Sequence, residues 1–227
     1  MYWDVHDPDR PQPQVIDPGP APNGPIPAPD DATVLFDGTD LQAWEHADTS
    51  AALWTVTDGA VEVQPGTGNL RTKRSFGDVQ LHLEFATPPE DEDIAQGKGN
   101  SGVFLMGKYE VQILDSYQNQ TYPDGQCAAI YSQYPPLVNA SRPPGEWQTY
   151  DIVFRRPHFD EDGGVVTPAR MTVFHNGVLV QDNVELTGPT AYMERPDYQP
   201  HAAQLPLQLQ DHGNRVRYRN IWVRELE

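Results

Sequence analysis

Cationic side chains are scarce in this chain: 15 Lys and Arg stand against 33 Asp and Glu, for a formal net charge of -18. Such a field repels phosphate backbones and anionic lipid, so nucleic acid is not an expected partner. A neutral ligand or a divalent cation suits it better, although charge that merely keeps an exported protein in solution looks the same. Cysteine is nearly absent. Cys127 stands alone, which excludes an internal disulfide. Its small apolar setting, Gln126-Cys127-Ala128-Ala129-Ile130, reads as a buried hydrophobe rather than a nucleophile. No apolar run reaches the length of a transmembrane segment. The amino terminus, Met1-Tyr2-Trp3-Asp4, is not a signal peptide, so an export signal is absent from this chain. There is also no phosphate-cradling glycine loop, CxxC pair, HExxH or GxSxG, and no organic cofactor is expected.

A sustained 3.6-residue period is missing as well, which argues against long helices. What the chain does have is proline and glycine, 23 and 18 of them in 227 residues, together with short alternating runs. Residues 1–31 are proline-rich and bury almost nothing, so they read as an extended arm. The arm can lie across the domain, join subunits into a homo-oligomer, or be disordered, with Tyr2 and Trp3 as candidate anchors at its tip. Residues 32–227 read as one all-β domain. Asp58-Gly59 and Asn176-Gly177 each sit between apolar alternating runs and predict hairpins. Val79, Leu81, Leu83 and Phe85 alternate with Gln80, His82 and Glu84 in a predicted strand. Pro206, inside the Leu205 to Leu209 run, predicts an edge strand or a bulge. About a dozen strands without a helix are best accommodated by two antiparallel sheets packed face to face. Trp44, Trp54, Trp147 and Trp222 are expected to fill the core.

The chemistry is sought on polar strand faces. In Tyr109-Glu110-Val111-Gln112-Ile113-Leu114-Asp115 the side chains of Glu110 and Gln112 share one face, and a bulge near Ile113-Leu114 would bring Asp115 beside them. Such a surface can line a sugar site, with Glu110 and Asp115 as candidate catalytic carboxyls. Gln210-Asp211-His212-Gly213 is the second constellation. His212 is a candidate base near neutral pH, and Gln210 shares its face. A capped turn with a surface histidine is the plainer reading of the same residues. His82 and Glu84 are further candidates to line the groove. Arg217 is a candidate donor to a sugar or keto oxygen, against a purely structural use of Arg215, Arg217 and Arg219. Tyr117 and Tyr131, in and beside the long 116–146 loop, are candidates for stacking on a sugar. Glu110, Asp115, Asp211 and His212 are candidate ligands for a divalent cation such as calcium, manganese or magnesium.

These residues also carry a resemblance. The order of Leu35-Phe36-Asp37-Gly38, Trp54-Thr55-Val56-Thr57-Asp58-Gly59, Asn100-Ser101-Gly102-Val103-Phe104, the 109–115 run, Gly145-Glu146-Trp147, Asn176-Gly177 and Leu209-Gln210-Asp211-His212-Gly213 resembles the 3-keto-disaccharide hydrolase family, also known as domain of unknown function 1080. The likeness covers nearly everything after the arm. It implies a concanavalin A-like jelly roll, a periplasmic, secreted or cell-surface location after export, and activity on a keto-modified glycoside. The implied reaction removes the proton at sugar carbon 2, made acidic by a ketone at carbon 3, expels the group on carbon 1, and adds water. It needs a base, a charge stabiliser and a proton donor. His212 or Glu110 is the expected base and Asp115 the expected acid. A conventional endo-glycosidase and a non-catalytic carbohydrate-binding or assembly domain are the alternatives.

Overall fold

The structure is a computed structural model, and it describes residues 3–89 and 92–227. Tyr2, one of the two candidate anchors, lies outside the described residues. In chain order the strands are β1 (Gln14–Val15), β2 (Thr33–Phe36), β3 (Trp44–His46), β4 (Thr55–Thr57), β5 (Ala60–Glu62), β6 (Leu70–Phe76), β7 (Val79–Ala86), β8 (Ser101–Leu105) and β9 (Tyr109–Ile113). They continue as β10 (Val138–Asn139), β11 (Gln148–Arg155), β12 (His158–Phe159), β13 (Val165–Thr167), β14 (Arg170–His175), β15 (Val178–Glu185), β16 (Leu205–Leu209) and β17 (Arg217–Glu225). The only helical pieces among the described residues are two single 3-10 turns, at Ala95–Gly97 and Pro123–Gly125.

Two antiparallel sheets face each other, as expected for a concanavalin A-like jelly roll. The larger has eight strands in the order β15-β14-β11-β7-β17-β5-β4, with β2 also paired to β17; the smaller has the order β3-β6-β16-β8-β9. Both predicted hairpins form. Asp58 and Gly59 have φ of 50° and 75°, and Asn176 and Gly177 have φ of 53° and 79°, so each pair supplies the two positive φ angles of a type I′ turn. The run at β7 shows why the sheets stack. Val79, Leu81, Leu83 and Phe85 are all buried, and each such side chain removed from water contributes about 1.5–3 kcal/mol. Tyr109 of β9 meets Phe154 of β11 with ring centroids 5.4 Å apart, and Ser101 Oγ of β8 lies 2.6 Å from Tyr218 Oη of β17. Both contacts tie one sheet to the other.

Pro206 lies at a bulge and not at an edge. β16 is central in the smaller sheet, but its register against β6 shifts between Pro206 and Gln208, and its pairing with β8 begins only at Gln208. The missing N–H of proline is therefore not asked to join a continuous ladder. Three of the four tryptophans are buried, and Trp147 departs from expectation. Trp44 and Trp54 are core residues, whereas Trp222 stacks on His82 on the outer face of the larger sheet, and Trp147 is half-buried beneath Arg219. Cys127 is buried against Tyr150 Oη, and burial pushes its thiol up to about 11, in keeping with an inert core residue.

The arm follows the surface of its own domain. Gln12 Nε2 donates to Thr121 O, β1 pairs in parallel with β10, Arg142 donates to the carbonyls of Gly19 and Pro20, and Asp31 pairs with Arg224. At Ile26 the arm crosses the larger sheet, where its N–H donates to Glu84 Oε1.

Candidate active site

The outer face of the smaller sheet carries the site. Cross-strand register puts Gln208, Phe104 and Glu110 in one row, from β16 through β8 to β9. The next row on that face holds Gly102 opposite Gln112, and Gln210 joins it by donating its N–H to Gly102 O. The two separated polar stretches thus meet across one strand. A cavity of about 260 Å³ opens over them and is lined by Glu110, Gln112, Gln210 and His212 from those stretches, with Asn100, Phe104, Tyr131, Thr190, Ala191 and Tyr192 around them.

Glu110 dominates the electrostatics. It is 6 % exposed, and burial pushes its carboxyl up from 4.5 to about 8. Burial is the only cause of that shift, and no hydrogen bond or ion pair to its carboxyl occurs among the described residues. An uncompensated carboxyl of this kind keeps its proton at neutral pH. Its backbone is fixed on both sides, by N–H donation to Thr190 Oγ1 and by Tyr131 N–H donating to its carbonyl. Gly102 makes room for it, because a Cβ on residue 102 would collide with Glu110 Oε1.

Gln112 is 2 % exposed; its Nε2 donates to Gln96 Oε1 at 3.1 Å and to Gly125 O at 3.4 Å. Its Oε1, and the Oε1 of Gln210, are buried without a partner. Each such acceptor costs about 1–3 kcal/mol if left bare, and both belong to residues lining the cavity. Tyr131 Oη is 2.8 Å from Tyr122 Oη, and His212 is exposed at the edge of the cavity.

The remaining expected residues lie elsewhere. No register shift occurs from Ser101↔Ile113 to Leu105↔Tyr109, so the expected bulge is absent from β9, which ends at Ile113. Asp115 does not line the cavity. Its Oδ2 pairs with Lys98 Nζ at 3.1 Å and its Oδ1 accepts the Tyr117 N–H, a loop-fixing role. Asp211 is spent in the same way, on the N–H groups of Gly68 and Gly213. Tyr117 lines a separate cleft beside Arg142 and arm residues 15–19.

His82, Glu84 and Arg217 belong to the larger sheet, not to this face. His82 is fully buried, with Nδ1 2.7 Å from Asp151 Oδ1; burial lowers the imidazole's affinity for a proton, but Asp151 and Glu84 outweigh it and the net shift is upward. Burial would raise Glu84, but hydrogen bonds from His82, Asn220, the Ile26 N–H and Arg219 hold it down to about 2. Arg217 lies over the Trp147 ring at 5.4 Å.

The candidate cation ligands are therefore divided: Glu110 and His212 share the cavity, while Asp115 and Asp211 are committed to Lys98 and to backbone. No group of three His, Cys, Asp or Glu able to hold a metal ion occurs among the described residues. A hard dication takes several anionic oxygens. Among the described residues that line the cavity Glu110 is the sole carboxyl, so they do not supply the donor set such an ion needs.

Residues 31–224 match the 3-keto-alpha-glucoside-1,2-lyase-like domain. The chain belongs to that family. Among its relatives is a 3-keto-disaccharide hydrolase of Bacteroides thetaiotaomicron, 24 % identical over 236 residues, covering 85 % of this chain and 78 % of that one. A solved structure of a candidate glycosyl hydrolase from Parabacteroides distasonis superposes with a TM-score of 0.85 at 46 % identity, covering 88 % of this chain and 85 % of that one. A second from the same organism, at 21 % identity and a TM-score of 0.62, shares the fold. Membership supports a carbohydrate-active enzyme, as the resemblance implied. No helix among the described residues is long and apolar enough to cross a membrane.

Asn100, Phe104, Thr190, Ala191 and Tyr192 are cavity residues that the sequence reading did not select. Phe104 had a usable signal, since its strand parity opposes that of the buried Val103 and Leu105. Thr190 to Tyr192 sit in an aperiodic loop and had none.

Proposed function

We propose that this family member cleaves glycosides bearing a ketone at sugar carbon 3, with Glu110 as the proton donor and His212 as the base. The observation that carries this reading is the nearly buried Glu110 carboxyl, which lines the cavity without a hydrogen-bond partner among the described residues and whose affinity for a proton burial raises. His212 takes the carbon-2 proton. The released electron pair forms an enolate whose negative charge resides on the keto oxygen. Collapse of the enolate makes a carbon 1–carbon 2 double bond and breaks the bond from carbon 1 to the leaving oxygen, which takes its proton from Glu110. Water then adds across the double bond, its oxygen to carbon 1 and its proton to carbon 2. The sum is hydrolysis, without gain or loss of electrons. Gln112 and Gln210 line the cavity as polar residues for sugar hydroxyls, and the side-chain amide of Gln210 is the candidate to meet the charge on the keto oxygen.

A conventional glycosidase needs two carboxyls flanking the scissile bond. Among the described residues that line the cavity, Glu110 is the sole carboxyl, which argues against that alternative. The keto reading goes with an exported protein, as the family resemblance implies.

The test is incubation of the purified protein with a 3-keto-glucoside and with its unoxidised parent. Release of the leaving group from the keto form alone, lost in Glu110→Gln, is expected. Cleavage of the parent, or binding without any product from either, would overturn the proposal.

A further inference from the structure

At about 260 Å³ the cavity is below the usual range for ligand sites and suits a single sugar ring. If the substrate is a keto-glycoside, the reading on which this inference rests, its leaving group must lie at the rim. Tyr192 stands there, lining the cavity yet 72 % exposed. The loop that carries it is braced by neighbouring segments as well as by its own Ala191↔Glu194 bridge. Ser132 Oγ donates to Ala191 O at 2.7 Å, and Arg195 Nε donates to Ser132 O at 2.7 Å. The same arginine donates through Nη1 to the carbonyl of Trp3, in the arm, at 3.0 Å.

The arm reaches the rim a second time through His6. Its ring packs on Tyr122 at a centroid distance of 3.7 Å, and lies 5.4 Å from Tyr131 and 5.9 Å from Tyr192. Beneath it Asp124 is fully buried. That carboxylate accepts the His6 backbone N–H at 3.1 Å, lies 3.2 Å from its Nδ1, and is 3.8 Å and 3.9 Å from the guanidinium groups of Arg10 and Arg195. A buried carboxylate is tolerated only when paired; three of these four contacts come from the arm and the fourth from Arg195, the residue that grips it.

We propose that the amino-terminal arm completes a leaving-group subsite. Trp3 and His6 brace the 190–195 loop while Arg10 pairs with Asp124 beneath, so that Tyr192 and Tyr131 present ring faces to a ring-bearing leaving group, either aryl or the apolar face of a second sugar. Tyr192 touches the leaving group. His6 is a positioning residue that acts through the tyrosines.

The test compares methyl 3-keto-glucoside, its 4-nitrophenyl counterpart and a 3-keto-disaccharide on the full chain, on Tyr192→Ala and on His6→Ala. In both variants kcat/KM for ring-bearing substrates should fall roughly three- to tenfold relative to the methyl substrate, the range of one aromatic stack. The loss should lie mainly in KM, because the ring is stacked in ground and transition states alike. His6→Phe should restore the ratio. A loss confined to the nitrophenyl or to the disaccharide substrate supports the subsite and identifies its occupant. An unchanged ratio, or an equal loss on all three substrates, would overturn the subsite while leaving the keto-glycoside reading intact. Absence of turnover of all three by the unaltered protein would remove that reading, and this inference with it.

Discussion

The Glu110 carboxyl lies over the bare Cα of Gly102 on the neighbouring strand. A methyl group there would collide with Glu110 Oε1 and crowd the Phe104 ring. The clash falls on the free end of a flexible side chain, so the fold can absorb it by moving the carboxyl. Gly102→Ala should therefore cost less than about 2 kcal/mol of stability and lower kcat roughly 10- to 100-fold, because a catalytic group displaced by about 1 Å loses its alignment. Thermal unfolding and turnover of a 3-keto-glucoside measured together check this. Full activity would mean that the position of Glu110 is not critical.

The raised affinity of Glu110 for its proton has two consequences of definite sign. If the protonated form is the donor, kcat/KM should fall as pH rises through about 8. Stability should also decline with pH. The folded state keeps this proton up to about 8, whereas the unfolded chain releases it near 4.5, so between those values the folded state binds more protons than the unfolded state. The slope is at most about 1.4 kcal/mol per pH unit. Glu110→Gln should thus gain stability over the unaltered protein as pH rises from 4.5 to 8, with no difference between them below 4.5 attributable to this proton. Denaturant unfolding at pH 4, 6 and 8 measures it, and parallel curves would deny the shift.

Asp115 and His212 should separate by phenotype. Asp115 holds Lys98 and the Tyr117 N–H and is almost completely buried, so Asp115→Asn should destabilise by roughly 3 kcal/mol while lowering turnover less than tenfold at a temperature where it stays folded. His212 is exposed, so His212→Ala should leave the unfolding midpoint nearly unchanged and reduce kcat/KM about 100-fold or more. The reverse pattern would return the acid role to Asp115.

The distance between expectation and structure has specific causes. Asp-Gly and Asn-Gly hairpins are legible because positive φ is a local demand on residue type. Glu110, Gln112, Gln210 and His212 were legible as polar positions on alternating strands. The same alternation put forward His82 and Glu84, because a period of two reports which way a side chain faces and not which sheet it belongs to. Proline content made the arm extended, but its docking depends on single buried groups far away in sequence: Asp124 receives His6, and Glu84 receives Ile26. Thr190 and Tyr192 reach the cavity through loop geometry that no periodicity encodes.

Glu84 anchors the arm where it crosses the larger sheet. Its Oε1 accepts the Ile26 N–H at 3.0 Å and Asn220 Nδ2 at 2.9 Å, while its Oε2 accepts Arg219 Nε at 2.7 Å. Glutamine at this position keeps an acceptor for Ile26 but leaves Arg219 without its counter-charge, so Glu84→Gln should destabilise by about 3 kcal/mol at pH 7. The carboxylate is held near 2, below the 4.5 of an ordinary glutamate. Its contribution is therefore complete above about 4.5 and is lost as pH falls toward 2. The stability gap between the unaltered protein and Glu84→Gln should narrow from pH 7 to pH 3 in urea unfolding. Limited proteolysis at pH 7 should cut the variant faster around Ile26, because the arm is released where its N–H partner weakens. A gap that stays constant with pH, or an arm that is equally protected in both proteins, would show that the arm is held by its other contacts and not by this carboxylate.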